Sequence, residues 1–449
     1  MFVCIKGAHF DGHNAAKEMV EKGAAAVIAE HDTGASRQVI VSNTRLALAQ
    51  LNSRLYGEPT ERLRLLGVTG TNGKTTTVGM IKHMLNVLGK KTGSIGTAGI
   101  DVCGKTYHSE KGIPTTPPAT VLYQRFAEMA DNGAEFCVME ASSQALAQYR
   151  VGAVRFEAAA FTNLTQDHLD YHGDMESYFA AKSMLFEQTD IPVICTDDEY
   201  GKRLAERYGE KAITVGFDNN NTISAQFVTC GAGGSQFMLT SKLSRRAFRT
   251  KLSEIGRYNI QNALCAIGLC AAAGFDEEDC VRALESYGGT DGRLSVVYSG
   301  EFTVLTDYAH TDDALDKMLA AVREVTDGRL ITVFGAAGDR DATKRPMMGA
   351  AAQRHSDYMI VTSDNPAHEK PEDIIAQVVS GITDSTVYET EPDREKAIRR
   401  ALDIAKPGDV IVLAGKGSED YQIVGDEQLP FSEREIVTNI LSGKGNQTI

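Results

Sequence analysis

The chain has 449 residues, enough for about three domains at roughly 150 residues each. Its 46 Lys and Arg against 60 Asp and Glu give a net charge of −14, which argues against nucleic acid or an anionic membrane as the main partner. Hydrophobic residues at 42 %, charged residues at 24 %, and 42 Gly against 11 Pro fit a globular chain with many tight strand-to-helix turns. No apolar run reaches the roughly 18 residues a membrane helix needs, so no membrane span is expected. The N-terminus lacks the pattern of a secretory signal. The 8 Cys are scattered without a Cys-x-x-Cys, as reduced thiols of a cytoplasmic protein would be.

In chain order, residues 1–63 alternate short apolar runs (2–5, 25–29, 39–41) with helical stretches (15–22, 46–56), the pattern of a small α/β domain. The first strand begins abruptly, so either the fold starts mid-sheet or an upstream piece is missing. Residues 64–290 read as a larger α/β domain with a mostly parallel sheet. It opens on a strand at 63–69, makes a β-rich excursion up to 251, and closes on a helix at 259–273 capped by Gly274. Residues 291–449 repeat strand and helix. The apolar runs 303–305, 330–334, 358–361 and 410–413 fit strands buried on both faces of a doubly wound, Rossmann-like sheet. Residues 443–449 read as disordered.

The strongest chemical signal is Gly70-Thr71-Asn72-Gly73-Lys74-Thr75-Thr76, which follows an apolar strand and opens a helical stretch at 78–88. Glycines let backbone N–H groups approach phosphate oxygens. The helix start adds positive potential, Lys74 supplies a point charge, and the Thr75 hydroxyl suits Mg²⁺. The spacing departs from the general phosphate-loop pattern, with Val68 where a glycine is usual. Glu140 ends the apolar run 136–140, and an acid at that end of a strand suits a divalent cation. Residues 162–172 gather Asp167, His168, Asp170 and His172; the pattern could be a polar loop and helix cap, but the clustering just after a strand at 158–161 favours a site. Lys182 reads by pattern as a surface lysine. In the last section polar groups follow each strand: Asp307 and His310, then residues 338–341, then Asp364 and Asn365, then residues 415–419. Open parallel sheets bind ligands at that edge, so four such clusters describe a second binding face.

These residues together resemble the Mur ligase family, closest to its UDP-N-acetylmuramoyl-tripeptide synthetase branch. The resemblance runs from Ile5-Lys6-Gly7 and Asp11-Gly12-His13 to Leu429-Pro430-Phe431. It rests on residues 70–77, Thr115-Thr116-Pro117, Glu140-Ala141-Ser142-Ser143, residues 162–172 and 256–262, Asp307-Tyr308-Ala309-His310-Thr311, and Gly338-Asp339-Arg340-Asp341 with Lys344-Arg345-Pro346. It implies an α/β fold of three domains: an N-terminal UDP-substrate domain, a central ATPase domain and a C-terminal amino-acid-binding domain. It implies ATP and two Mg²⁺ ions, with Gly70, Thr71, Asn72, Gly73, Lys74, Thr75 and Thr76 as the phosphate loop. Thr75, Glu140, His168 and Lys182 would be metal ligands, Lys182 as a carbamate. Asn259, Asn262, Arg293 and Asp307 would contact the nucleotide. Thr115, Thr116, Ser142, Gln148 and Arg150 would hold the UDP-muramoyl dipeptide, and Arg340, Asp364, Asn365, Gly415 and Glu419 the incoming amino acid.

The implied activity is ATP-dependent, ADP-forming addition of a diamino acid to UDP-MurNAc-L-Ala-D-Glu through an acyl phosphate, by a cytoplasmic monomer in peptidoglycan synthesis. The family's diaminopimelate enzymes carry Arg where Ala367 stands, so L-lysine or a similar diamine is expected as the added residue. Ser418 and Asp312 also depart from the pattern, and the family carries a further N-terminal segment, so a truncated or misassigned start is expected. Two other readings are a folylpolyglutamate-synthase-like ligase of the same superfamily and a nucleotide-binding regulatory protein without catalysis.

Overall fold

The computed structural model describes residues 1–7, 10–107, 114–231, 233–385 and 387–445. The chain folds into two compact units. The first comprises Met1–Thr69, Gly89–Ala159 and Ala180–Ile191, and the second Gly70–Leu88, Ala160–Phe179 and Pro192–Ile449.

The first unit opens on a small parallel sheet of Phe2–Val3, Val27–Ala29 and Gln38–Ile40. The helix Thr44–Leu55 follows, its N-terminus capped by the Asn43 side chain accepting from Leu46 N–H. The expected first strand is shorter than its apolar run, although Cys4 N–H still donates to Ile28 O at 2.9 Å. Further along, Phe136–Glu140 lies between Arg64–Thr69 and Thr92–Gly96, parallel to both. Every residue of Phe136–Glu140 is buried, as its unbroken apolar run requires. Gly99–Val102 and Lys105–Tyr107 extend this sheet antiparallel.

In the second unit the helix Lys74–Val87 packs against the helix Arg257–Ala272. It starts at Lys74, earlier than the apolar periodicity indicates, because the polar 74–77 stretch forms its first turn. The β-rich excursion is an antiparallel set of Ile223–Gly231, Gly234–Ser241 and Arg246–Leu252. The C-terminal sheet has six strands. Thr303–Asp307, Val410–Ala414, Leu330–Phe334, Tyr358–Thr362 and Tyr388–Glu391 run parallel in that spatial order, with Ser295–Ser299 antiparallel at one edge. Leu315, Leu319, Met348 and Ile374 from three helices cover one face. Ala397, Ile398, Val437 and Ile440 from two others cover the opposite face, which makes the sheet doubly wound. The last helix, Glu433–Gly445, runs into the segment expected to be disordered, since Val437 and Ile440 give it an apolar face to bury. Residues 446–449 lie outside the described residues.

Candidate nucleotide and amino-acid site

The phosphate loop is shaped by two glycines and fastened by two polar residues. Gly70 has φ +149° and Gly73 φ +85°. A Cβ at Gly70 would overlap Thr162 Oγ1, and one at Gly73 would overlap Asn262 Oδ1. Thr71 N–H donates to Asn163 O and Asn72 N–H to Asn163 Oδ1, each at 2.9 Å. In return Thr162 Oγ1 and Asn163 Nδ2 donate to Asn72 O at 2.6 and 3.1 Å. Lys74 Nζ donates to the loop carbonyls of Gly70 and Thr71, so its charge stays beside the concavity. Thr75 and Thr76 are buried in the first helical turn.

A cavity adjoins this loop. Asn72, Gly73, Thr75 and Thr76 line one wall; Asn259 and Asn262 form another, with Asn262 Nδ2 donating to Asn259 Oδ1 at 3.1 Å. The third wall comes from the C-terminal part of the chain. There Asp307 accepts from Leu294 N–H and Ala309 N–H, both at 2.8 Å. Burial raises the Asp307 carboxyl above its ordinary pKa, with the Arg293 charge opposing. Arg293 lies 4.6 Å over the Tyr308 ring and donates to Thr75 Oγ1 at 3.3 Å. Thus the expected nucleotide residues Asn259, Asn262, Arg293 and Asp307 all meet the phosphate loop at one cavity. Beneath it Lys344 Nζ sits 3.5 Å from Asp167 Oδ1. Burial disfavours that carboxylate, but His168 and Lys344 outweigh burial and lower its pKa. His168 itself takes a left-handed conformation at φ +55° and remains partly exposed.

The expected residues of the first unit form their own cluster. Glu140 is buried; its Oε1 accepts from Thr97 N–H at 2.8 Å and its Oε2 from Thr97 Oγ1 at 3.3 Å. Thr97 Oγ1 lies 3.0 Å from Thr115 Oγ1. Thr116 Oγ1 donates to Glu140 O and accepts from Ser142 N–H, while Arg150 donates to Thr116 O and Gln148 Oε1. Lys182 is buried, at 1 % exposure, near the end of the helix Met175–Ser183. That corrects the surface reading of its pattern: the helix buries this position together with Ala181 and Ser183. Thr97 was missed in the sequence because a lone threonine past a strand carries no signal.

At the C-terminal sheet the four polar clusters do converge on one edge. Gly415 N–H donates to Asp307 O, and Gly338 N–H to Asn365 O. Lys416 Nζ donates to Asn365 Oδ1 at 2.9 Å and to Glu419 Oε2 at 3.2 Å, and Asn365 Nδ2 donates to Glu419 Oε2 at 3.1 Å. Tyr308, which lines the cavity beside the loop, donates from its hydroxyl to Glu419 Oε1 at 3.2 Å. Asp364 is buried against Gly415, and Arg340 stays exposed on the 338–341 loop. Ala367 has φ +50°; its N–H donates to Ile423 O and its carbonyl accepts from Gly425 N–H.

Comparison with known proteins now decides the family. Residues 68–270 match the Mur ligase middle domain, and residues 292–417 match the "Mur ligase, glutamate ligase domain". This chain belongs to the Mur ligase family. It is an ATP-dependent ligase that joins an acid to an amino acid. The chain is 43 % identical over 448 residues to the UDP-N-acetylmuramoyl-L-alanyl-D-glutamate–2,6-diaminopimelate ligase of Aquifex aeolicus, covering 99 % of this chain and 91 % of that protein. It is 41 % identical to the ligase of the same description from Geobacillus thermodenitrificans, covering 97 % and 91 %. A solved structure of such a diaminopimelate ligase matches with a TM-score of 0.67 and 30 % identity over 97 % of this chain and 90 % of that one. The Thermotoga maritima MurF ligase in complex with ADP has the same TM-score at 18 % identity, covers 100 % and 95 %, and attests the fold. Among the described residues no helix is long and apolar enough to cross a membrane.

Proposed function

We propose that the chain adds 2,6-diaminopimelate to UDP-N-acetylmuramoyl-L-alanyl-D-glutamate in peptidoglycan precursor synthesis, as a cytoplasmic monomer. The observation that carries this reading is Tyr308. It lines the cavity at the expected phosphate loop, and its hydroxyl donates to Glu419 in the cluster expected to take the amino acid. One side chain therefore joins the two substrate sites that such a ligase needs. In this reading the acceptor's terminal carboxylate attacks the γ-phosphate of ATP, giving an acyl phosphate and ADP. The amine then attacks the activated carbonyl and phosphate leaves. Lys74 and Arg293 would neutralise charge as it builds on the transferring group. Thr115, Thr116, Ser142, Gln148 and Arg150 would hold the nucleotide-sugar dipeptide in the first unit.

The residues of the chain also suit Mg²⁺. The buried Glu140 carboxylate accepts from Thr97 through both oxygens, and among the described residues no ion pair to it is seen, which leaves a hard oxygen ligand in need of a counter-charge. By the resemblance, Thr75, Glu140, His168 and Lys182, the last as a carbamate, would serve as magnesium ligands. Bound magnesium would supply positive charge to the phosphate oxygens. Lys182→Ala is expected to lose activity and regain part of it with an added short-chain carboxylate.

The relatives are named for 2,6-diaminopimelate, which favours that amino acid and corrects the expectation of L-lysine drawn from Ala367. Alanine supplies no charge for a second carboxylate, but Arg340 stands exposed on the neighbouring loop and offers one. The test is ADP release with UDP-MurNAc-L-Ala-D-Glu and, separately, meso-diaminopimelate, L-lysine and L-ornithine. Release is expected with meso-diaminopimelate. Release with L-lysine alone would overturn the amino-acid assignment, and none with any of the three would overturn the ligation step.

A further inference from the structure

The nucleotide cavity has one charged pair that the reaction as described leaves unused. Asp313 and Lys317 lie one turn apart on the helix Asp312–Glu324, and Lys317 lines the same cavity as Asn72 and Gly73 of the loop. Lys317 Nζ is 2.8 Å from Asp313 Oδ1 and 3.0 Å from Oδ2. An i, i+4 pair of this kind is usually a surface pair of little energetic weight. Here the carboxylate has a second partner far away in sequence. Asn72 Nδ2, on the phosphate loop, donates to Asp313 Oδ2 at 3.0 Å.

Asn72 is a rigid donor. Its N–H is bound to Asn163 Oδ1 and its carbonyl accepts from Thr162 and Asn163, while the side-chain Nδ2 reaches Thr165 Oγ1 at 3.4 Å and, more closely, Asp313 Oδ2. Through that side chain the loop that receives phosphate touches the helix that carries a pocket-facing cation. The neighbouring acid separates this from ordinary helix chemistry. Asp312 also lies in the first turn, where any acid is favoured by the helix dipole, yet its Oδ1 has no partner among the described residues. Dipole complementarity is thus available from either residue, whereas only Asp313 of the two reaches the loop.

We propose that Asp313 is a positioning residue for the nucleotide, which ties Asn72 of the phosphate loop to Lys317 so that the two cavity walls hold ATP as one surface. The inference rests on the reading that this cavity takes ATP. Loss of the tie leaves the groups that meet the reacting atoms in place, so it weakens nucleotide binding more than turnover.

The test is steady-state kinetics with ATP varied and the other substrates saturating, together with calorimetric titration of ADP. Asp313→Ala is expected to raise KM for ATP and Kd for ADP about fivefold to tenfold, with kcat changed less than about twofold. Asp313→Asn, which keeps an acceptor for Asn72, should recover part of the loss. Lys317→Met should reproduce much of it, and it carries the test with Asp313→Asn should Asp313→Ala not fold. Asp312→Asn should leave both constants within about twofold of the parent. The proposal is overturned if Asp313→Ala keeps the parental KM and Kd, if Asp312→Asn raises them equally, or if kcat falls while KM does not. If the parent protein itself binds no ADP, the nucleotide reading falls and takes this inference with it.

Discussion

The glycine loop 70–76 and the edge of the C-terminal sheet are held by different means. The loop is fixed by backbone: two positive-φ glycines, four hydrogen bonds to Thr162 and Asn163, and the start of a helix. The sheet edge is fixed by long charged side chains. Arg345 donates to both oxygens of Glu369 at 2.7 Å, fully buried Lys416 ties Asn365 to Glu419, and Arg394 Nε donates to Glu433 Oε1 at 2.9 Å. A site made of backbone fails when a side chain intrudes. A site made of buried charges fails when one partner is removed. Substitution therefore separates the two regions.

The largest effect is expected at the sheet edge. Arg394 and Glu433 are 2 % exposed, and Arg394 also donates to Ser363 O and Ala414 O, just beneath Asp364 and Gly415. Burial raises the Glu433 carboxyl pKa and the Arg394 charge opposes that rise. Arg394→Ala leaves Glu433 buried without its cation, and a loss of about 3–5 kcal/mol in urea unfolding is expected. Adding Glu433→Leu to an Arg394→Met chain should restore much of the stability. If Arg394→Ala costs less than about 1 kcal/mol, the edge is not held by charge in the way described.

Next in size are two changes at the loop. Lys74→Ala should lower kcat by about 10²–10³ with a smaller effect on the unfolding midpoint, since the lysine donates to two carbonyls of the glycine loop and its charge stays beside the cavity. An equal loss of stability would show that the lysine is structural. Gly73→Ala should cost about 1–3 kcal/mol of ADP affinity from strain at φ +85° and overlap with Asn262. In an Asn262→Gly background the overlap part should vanish and the strain part remain.

The same contrast explains what was legible in the sequence. The loop was legible because backbone geometry writes itself into fixed spacing: glycines at 70 and 73, a lysine at 74, hydroxyls at 75 and 76, all between a strand and a helix. The doubly wound sheet was legible from its four apolar runs, and their polar successors do meet at one edge. The partners within that edge were not. Glu419 bonds Asn365, 54 residues away, and Arg345 bonds Glu369, 24 residues away, so no local pattern joins them. Lys182 was misjudged as a surface residue for a related reason: its helix has no clear apolar stripe, and burial there is decided by tertiary packing. The roles of Arg340, Asp364 and Gly415 came from resemblance alone. For the added amino acid, Ala367 pointed toward L-lysine while the relatives favour diaminopimelate, because one missing cation says nothing of others brought near by the fold.

The smallest effect is a pH dependence confined to the sheet edge. His368 follows Ala367 and bridges two acids, with Nδ1 2.6 Å from Asp339 Oδ2 and Nε2 3.3 Å from Asp426 Oδ1. The hydrogen bond and charge of Asp339, then the charge of Asp426, raise its pKa above the ordinary 6.5. A raised histidine contributes fully below 6.5, and its contribution is lost as pH rises through the higher folded-state value. The imidazolium joins the 339 loop to the hairpin of Tyr421–Val424 and Glu427–Pro430, which also pairs with Ala367. Because the group is exposed, solvent screens it and the effect stays small. Raising pH from 6 to above the raised value should increase KM for the amino acid less than about threefold, with KM for ATP unaffected by this group. His368→Gln should flatten the amino-acid profile over that interval. Equal drift of both constants in the parent and the variant would assign the dependence elsewhere and remove the distinction drawn here between the two regions.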